Sequence, residues 1–128
     1  KLTASIDDEK QFCLNTVMCF SKIEETGLSN EFLVGLINSK LMSFYFYYFI
    51  FNQAIRTMHF MPGYADRLPI HNNSKSFHND ISDLVNKILK VKSQNSEADT
   101  SKLDQEIDRL VYELYGLNEE EIGIVEGL

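Results

Sequence analysis

The sequence predicts an α+β fold: a small antiparallel sheet with a long helix, followed by a C-terminal helical hairpin. Three observations point there. Residues around 10–23 and 56–70 hold β-branched, aromatic and Pro/Gly-punctuated stretches that read as short extended pieces. No turn residue interrupts the apolar chain between Ser29 and Asn52. The last third carries two apolar stripes at helical spacing.

Gln11 to Ile23 reads QFCLNTVMCFSKI, and Phe12, Leu14 and Thr16 share one face if the stretch is a strand. Glu24-Glu25-Thr26-Gly27 reads as a turn. Ser29 is a good helix N-cap, with Leu28 and Leu33 placed as a hydrophobic staple. Phe32, Leu33, Leu36, Ile37 and Leu41 then repeat at helical spacing, and Asn38, Ser39 and Lys40 form the polar counter-face. The block FYFYYFIF (Phe44 to Phe51) is apolar on every side, so periodicity alone cannot separate buried helix from core strand. Its continuity with the preceding helix favours one long helix from about 30 to 52.

Pro62-Gly63 and Leu68-Pro69 punctuate the second extended region, and Asn72 to Ser76 is a polar connector. Phe77, Ile81, Leu84, Val85, Ile88 and Leu89 form the first stripe. Ser93 to Thr100 is a polar loop, and Leu103, Ile107, Leu110, Val111 and Leu114 form the second stripe, ending at Gly116. Two such helices joined by a short loop should pack antiparallel. Asn118 before Glu119-Glu120-Glu121 announces a further helix. We therefore divide the chain into 1–75 and 76–128.

Length and an ordinary apolar share of 44% fit one domain-sized core and argue against wholesale disorder. No run of about 18 apolar residues suggests a membrane span, and nothing resembles a secretory signal. The expected setting is cytoplasmic and reduced, with Cys13 and Cys19 as core thiols rather than a disulfide scaffold. The chain begins at Lys1 rather than methionine, which reads as a piece of something longer. Net charge is -7, distributed as -2 over residues 1–27, +2 over 28–75 and -7 over 76–128. The mildly basic middle permits a nucleic-acid face, whereas the acidic C-terminal part would repel phosphates.

Catalytic chemistry is missing. The six glycines never fall in a G-x-G arrangement, and no phosphate-binding loop is present. His59, His71 and His78 lack the spacing of a zinc site. Asp104, Glu106 and Asp108 could suggest a magnesium site, but a solvated acidic face opposite the apolar stripe is the better reading. The aromatic block could stack bases, yet so dense a run is more often core.

Three segments resemble a known family. KLDQEIDRLVYELYGLNEEEIGIVEG (Lys102 to Gly127) looks like the end of the target-recognition region of N6-adenine-specific DNA methyltransferases of the type IIG restriction–modification class. FLVGLINSKLMSFYF (Phe32 to Phe46) and PGYADRLPI (Pro62 to Ile70) are similar to that family's upstream segments, in the same order. The resemblance spans about residues 10–127 and is to a TaqI-like C-terminal specificity domain. It implies a two-part enzyme. An upstream methyltransferase domain of the same chain would bind S-adenosylmethionine and carry an Asn/Asp-Pro-Pro-Tyr motif that flips and methylates adenine. Magnesium and an endonuclease activity could also belong to the parent.

This part would read double-stranded DNA, with no catalytic residue, cofactor or metal of its own. The resemblance places target-dependent contacts between Asn52 and Arg67. There Arg56, Thr57, His59 and Arg67 are the candidate contacts, since arginine reads guanine bidentately and histidine or threonine adds a hydrogen bond. Lys40 is the candidate backbone contact. A protein–protein interaction module built on the acidic helical hairpin is the alternative.

Overall fold

The computed structural model describes residues 1–9, 17–19, 27–53, 62–71 and 74–127. Six helices account for most of them: α1 (Asn30–Asn38), α2 (Lys40–Tyr45), α3 (Pro62–Ala65), α4 (Lys75–Gln94), α5 (Ser101–Leu114) and α6 (Glu119–Glu126). A π-helical turn, Phe46–Ile50, extends α2. Among the described residues no strand is present, which overturns the expected α+β fold and its antiparallel sheet.

The reason is visible at the second extended region. Residues 62–65 wind into a helical turn starting at Pro62, a position where proline's missing N–H costs nothing. The chain after it continues as a turn, with the Arg67 and Leu68 N–H groups bonded to the Tyr64 and Ala65 carbonyls, and residues 69–71 join no strand. Instead the Tyr115 hydroxyl donates to the Pro69 carbonyl and accepts the His71 N–H at 3.1 Å. One side chain thus supplies what a ladder partner would have supplied. Of the first extended region only residues 17–19 are described, and they are not strand; the rest lies outside the described residues. Cys19, expected as a core thiol, is exposed and disulfide-bonded.

The long helix is also corrected. It breaks at Ser39, and its two halves meet at a bend of 60°. Ser29 caps α1 as expected, accepting the Phe32 N–H at 3.0 Å while its hydroxyl meets that of Ser82 on α4 at 2.8 Å. Ser39, only 2% exposed, has extended backbone with ψ 157 and caps α2 by accepting the Met42 N–H at 3.2 Å. Its hydroxyl donates back to the Leu36 carbonyl at 2.7 Å. The far end of the π-helical turn closes through Asn52 and Gln53, both in left-handed backbone (φ 48 and 59).

The C-terminal elements follow the sequence pattern closely. α4 and α5 pack side by side, joined by the loop from Asn95 to Thr100. Gly116 adopts φ 68 and donates to the Glu113 carbonyl, while the Leu117 N–H reaches Tyr112, a Schellman closure of α5. Asn118 and Glu121 form a reciprocal capping box at the start of α6.

One core joins these pieces. Phe32 and Leu36 of α1 and Met42 of α2 pack with Ile81, Leu84 and Val85 of α4 and with Ile107, Leu110, Val111 and Leu114 of α5. The core therefore draws on both sides of the 75/76 division. α1 lies against α4 at Gly35, where a Cβ would stand 2.6 Å from Ile81 Cγ2 and 3.0 Å from Val85 Cγ2. No single helix among the described residues is long and apolar enough to cross a membrane.

Candidate nucleic-acid interface

Of the Asn38-Ser39-Lys40 triplet, expected as a polar counter-face, Lys40 is exposed, whereas Ser39 is buried and Asn38 half-buried at a junction between segments. Asn38 receives the Ala4 N–H at 2.7 Å and donates to the Ala4 carbonyl at 2.8 Å, tying the N-terminal residues along the elbow. Leu2 adds a backbone donation to the Ser43 hydroxyl at 3.2 Å. Lys40 is held at both ends. Its backbone N–H donates to Asp108 Oδ1 at 2.8 Å, and its ammonium lies 3.0 Å from Glu126 Oε1. The Tyr112 hydroxyl donates to the same Glu126 oxygen at 3.3 Å. The ammonium holds the Glu126 carboxyl below its ordinary range, by hydrogen bond and by charge. The Lys40 ammonium, expected as a backbone contact, is thus engaged with an exposed carboxylate, a pairing of small worth.

Asp108 departs most from the sequence reading. It is 7% exposed, not solvated. At ~100° per residue it lies about 60° from Val111, on the flank of the stripe rather than opposite it, and α2 covers it. Desolvation by burial pushes its carboxyl above the ordinary range; the Lys40 N–H and the charges of Lys40 and Lys1 pull it partly back. Tyr112, beside it, is raised well above the usual phenol range by burial and by the charges of Asp108 and Glu126. Exposed Asp104 and Glu106 do remain on the solvent side, and no His/Cys/Asp/Glu group among the described residues is arranged to hold a metal.

Arg67 is exposed, and its guanidinium Nη2 donates to the Phe49 carbonyl at 2.7 Å, near the end of the π-helical turn. Beside this bond Phe46, Phe51 and Tyr64 meet edge to face. Ring centroids stand 4.3 Å apart for Phe46–Phe51, 5.4 Å for Phe51–Tyr64 and 6.3 Å for Phe46–Tyr64. The chain on either side of residues 54–61 is therefore clamped together by three rings and one arginine. Arg56, Thr57 and His59 lie between these stems, outside the described residues.

The aromatic block divides in two. Phe46 and Ile50 are buried, whereas Phe49 is 58% and Tyr47 38% exposed, and Tyr45 stacks on Phe49 at 5.2 Å. Further down, His71 meets Tyr115 edge to face, and His78 lies over Phe32 with its Nε2 3.3 Å from the His71 carbonyl. These two histidines tie residue 71 to α1, α4 and α5. Sequence reasoning missed Asp108, Asn38 and Tyr115. The flanking position of Asp108 beside Val111 was a usable signal for the first; nothing local announced the other two.

Comparison with known proteins gives one match. The family described as the TaqI-like C-terminal specificity domain matches residues 1–70, which covers α1 to α3 and the clamp and stops before α4. No curated protein and no solved structure matches.

Proposed function

The chain belongs to the family of TaqI-like C-terminal specificity domains, which provide DNA sequence specificity in restriction–modification enzymes, and on that premise we propose how it reads DNA. The segment between the clamped stems, with Arg56, Thr57 and His59, meets the edges of base pairs in the major groove, and Arg67 borders it. Lys40 contacts the sugar–phosphate backbone once it exchanges Glu126 for phosphate. α4, α5 and α6 act as scaffold. Their segment carries the -7 balance, so they gain nothing from counterion release and serve to hold the reading part.

The observation that carries this reading is the family match itself, since it falls on the segment whose stems are clamped. The parent is an N6-adenine-specific DNA methyltransferase of the type IIG class. Its upstream domain supplies S-adenosylmethionine binding and the pocket for the flipped base. An Asn-Pro-Pro-Tyr motif encoded upstream of Lys1 in the same reading frame supports that parentage, and its absence there removes it.

Selection from randomised duplexes tests the reading directly. The 128-residue chain should enrich a defined motif, with affinity in the weak range of roughly 10⁻⁴–10⁻⁶ M set by its few positive charges. Arg56→Ala or Arg67→Ala should then cost about 1–3 kcal/mol on the enriched site and relax preference at one position. No enrichment by the wild-type chain would overturn the reading.

A further inference from the structure

The geometry points to Asp108 as a positioning residue that sets the elbow between α1 and α2 and, through it, the direction of the clamped stems that flank the DNA-reading segment. This deepens the function proposed above and rests on it. A helix running unbroken through Ser39 would point the aromatic turn, and the clamp built on it, about 60° away from where they stand. Ser39 alone does not fix the break, because serine is tolerated inside helices and its hydroxyl can bond to a carbonyl one turn back.

What the elbow requires is an acceptor for the first N–H of α2, which a continuous helix would have given to a carbonyl of α1. Asp108 is that acceptor, at 2.8 Å from the Lys40 nitrogen, and its charge sits at the N-terminal end of the α2 segment. It comes from α5, a rigid core helix that also packs on α1. The elbow is thereby referenced to the scaffold rather than to local chain preference. Glu126 of α6 takes the Lys40 side chain from the other direction, so both C-terminal helices grip one residue. This gives α5 and α6 a part in sequence reading that requires no contact with DNA.

The test uses the 128-residue chain, with two readouts: the Ser39 Cα chemical shift, which reports extended or helical backbone, and the ratio of affinities for the selected and a scrambled duplex. Asp108→Ala should keep its helical circular dichroism, move Ser39 to a helical shift, and lower the ratio at least about tenfold, the size of one lost base contact. Asp108→Asn retains an acceptor oxygen and should keep both the shift and the ratio. Asp108→Ala/Lys40→Pro gives up the proposed phosphate contact and so should weaken binding to both duplexes alike, while keeping the extended Ser39 shift and the ratio. Proline is accepted at the first helical position, needs no N–H acceptor, and holds the preceding residue extended.

Should Asp108→Ala fail to fold, the double variant decides: a wild-type shift and ratio support the role, and a lost ratio overturns it. An extended Ser39 in folded Asp108→Ala, or a lost elbow with an unchanged ratio, also overturns it. A wild-type chain without preference, in which the elbow still answers to Asp108, sinks the DNA reading and the specificity role with it. The effect of Asp108 on the elbow would then stand alone.

Discussion

Replacing Gly35 by alanine sets helix propensity against packing, and the structure says which wins. Gly35 lies mid-way along α1, where alanine would normally stabilise by about 1 kcal/mol. Here the added Cβ would meet Ile81 Cγ2 at 2.6 Å and Val85 Cγ2 at 3.0 Å. Both neighbours are β-branched residues in a helix, restricted to essentially one χ1 rotamer, so neither methyl can swing aside. Relief requires α1 to move off α4, at about 1–3 kcal/mol for overpacking. Urea denaturation followed by circular dichroism should therefore find Gly35→Ala less stable than wild type, by up to about 2 kcal/mol.

The cost should fall once the closer of the two obstructions is moved. Ile81→Leu shifts the branch away from Cβ at nearly constant volume, costing less than about 1.5 kcal/mol alone. In that background Gly35→Ala should cost less than it does in wild type, the Val85 methyl at 3.0 Å being the contact that remains. A double-mutant cycle then isolates a coupling of about 1–3 kcal/mol between positions 35 and 81. Strict additivity, or a Gly35→Ala protein more stable than wild type, would refute the close approach of α1 and α4.

Leu110→Asp should abolish cooperative unfolding of the helical domain, because a carboxylate at a site 8% exposed among Leu84 and Ile107 has no partner; a native melting curve would disprove the packing stripe. Tyr115→Phe removes a hydroxyl bonded to both Pro69 and His71 and should cost about 1–3 kcal/mol, with faster amide exchange at His71 as its local mark. The pH dependence of Asp108 has a definite sign. Burial raises its native pKa above the unfolded value, so its contribution is fully present below the unfolded pKa and is lost as pH rises through the native one. Wild type should then lose stability relative to Asp108→Asn as pH rises above the ordinary carboxylate pKa of about 4; an Asn variant that gains nothing as pH rises counts against it.

The sequence by itself determined the helices whose signals are local. The stripes of α4 and α5, the Gly116 closure, the Asn118–Glu121 box and the Ser29 cap all depend on residues within a turn or two of each other, so periodicity and capping chemistry suffice. The ordered motifs around the Asn-Ser-Lys triplet and the Pro-Gly segment likewise identified the family from short segments. Tertiary structure alone decided the rest. Whether Leu68 to Ile70 becomes a strand depends on a partner, and the partner is the hydroxyl of a residue 46 positions away in sequence from Pro69. Whether residues 30–50 form one helix or two depends on a carboxylate 68 positions beyond Lys40. Each outcome turns on where an unpaired backbone N–H or carbonyl finds its hydrogen bond, and that choice becomes available only when distant helices have already packed.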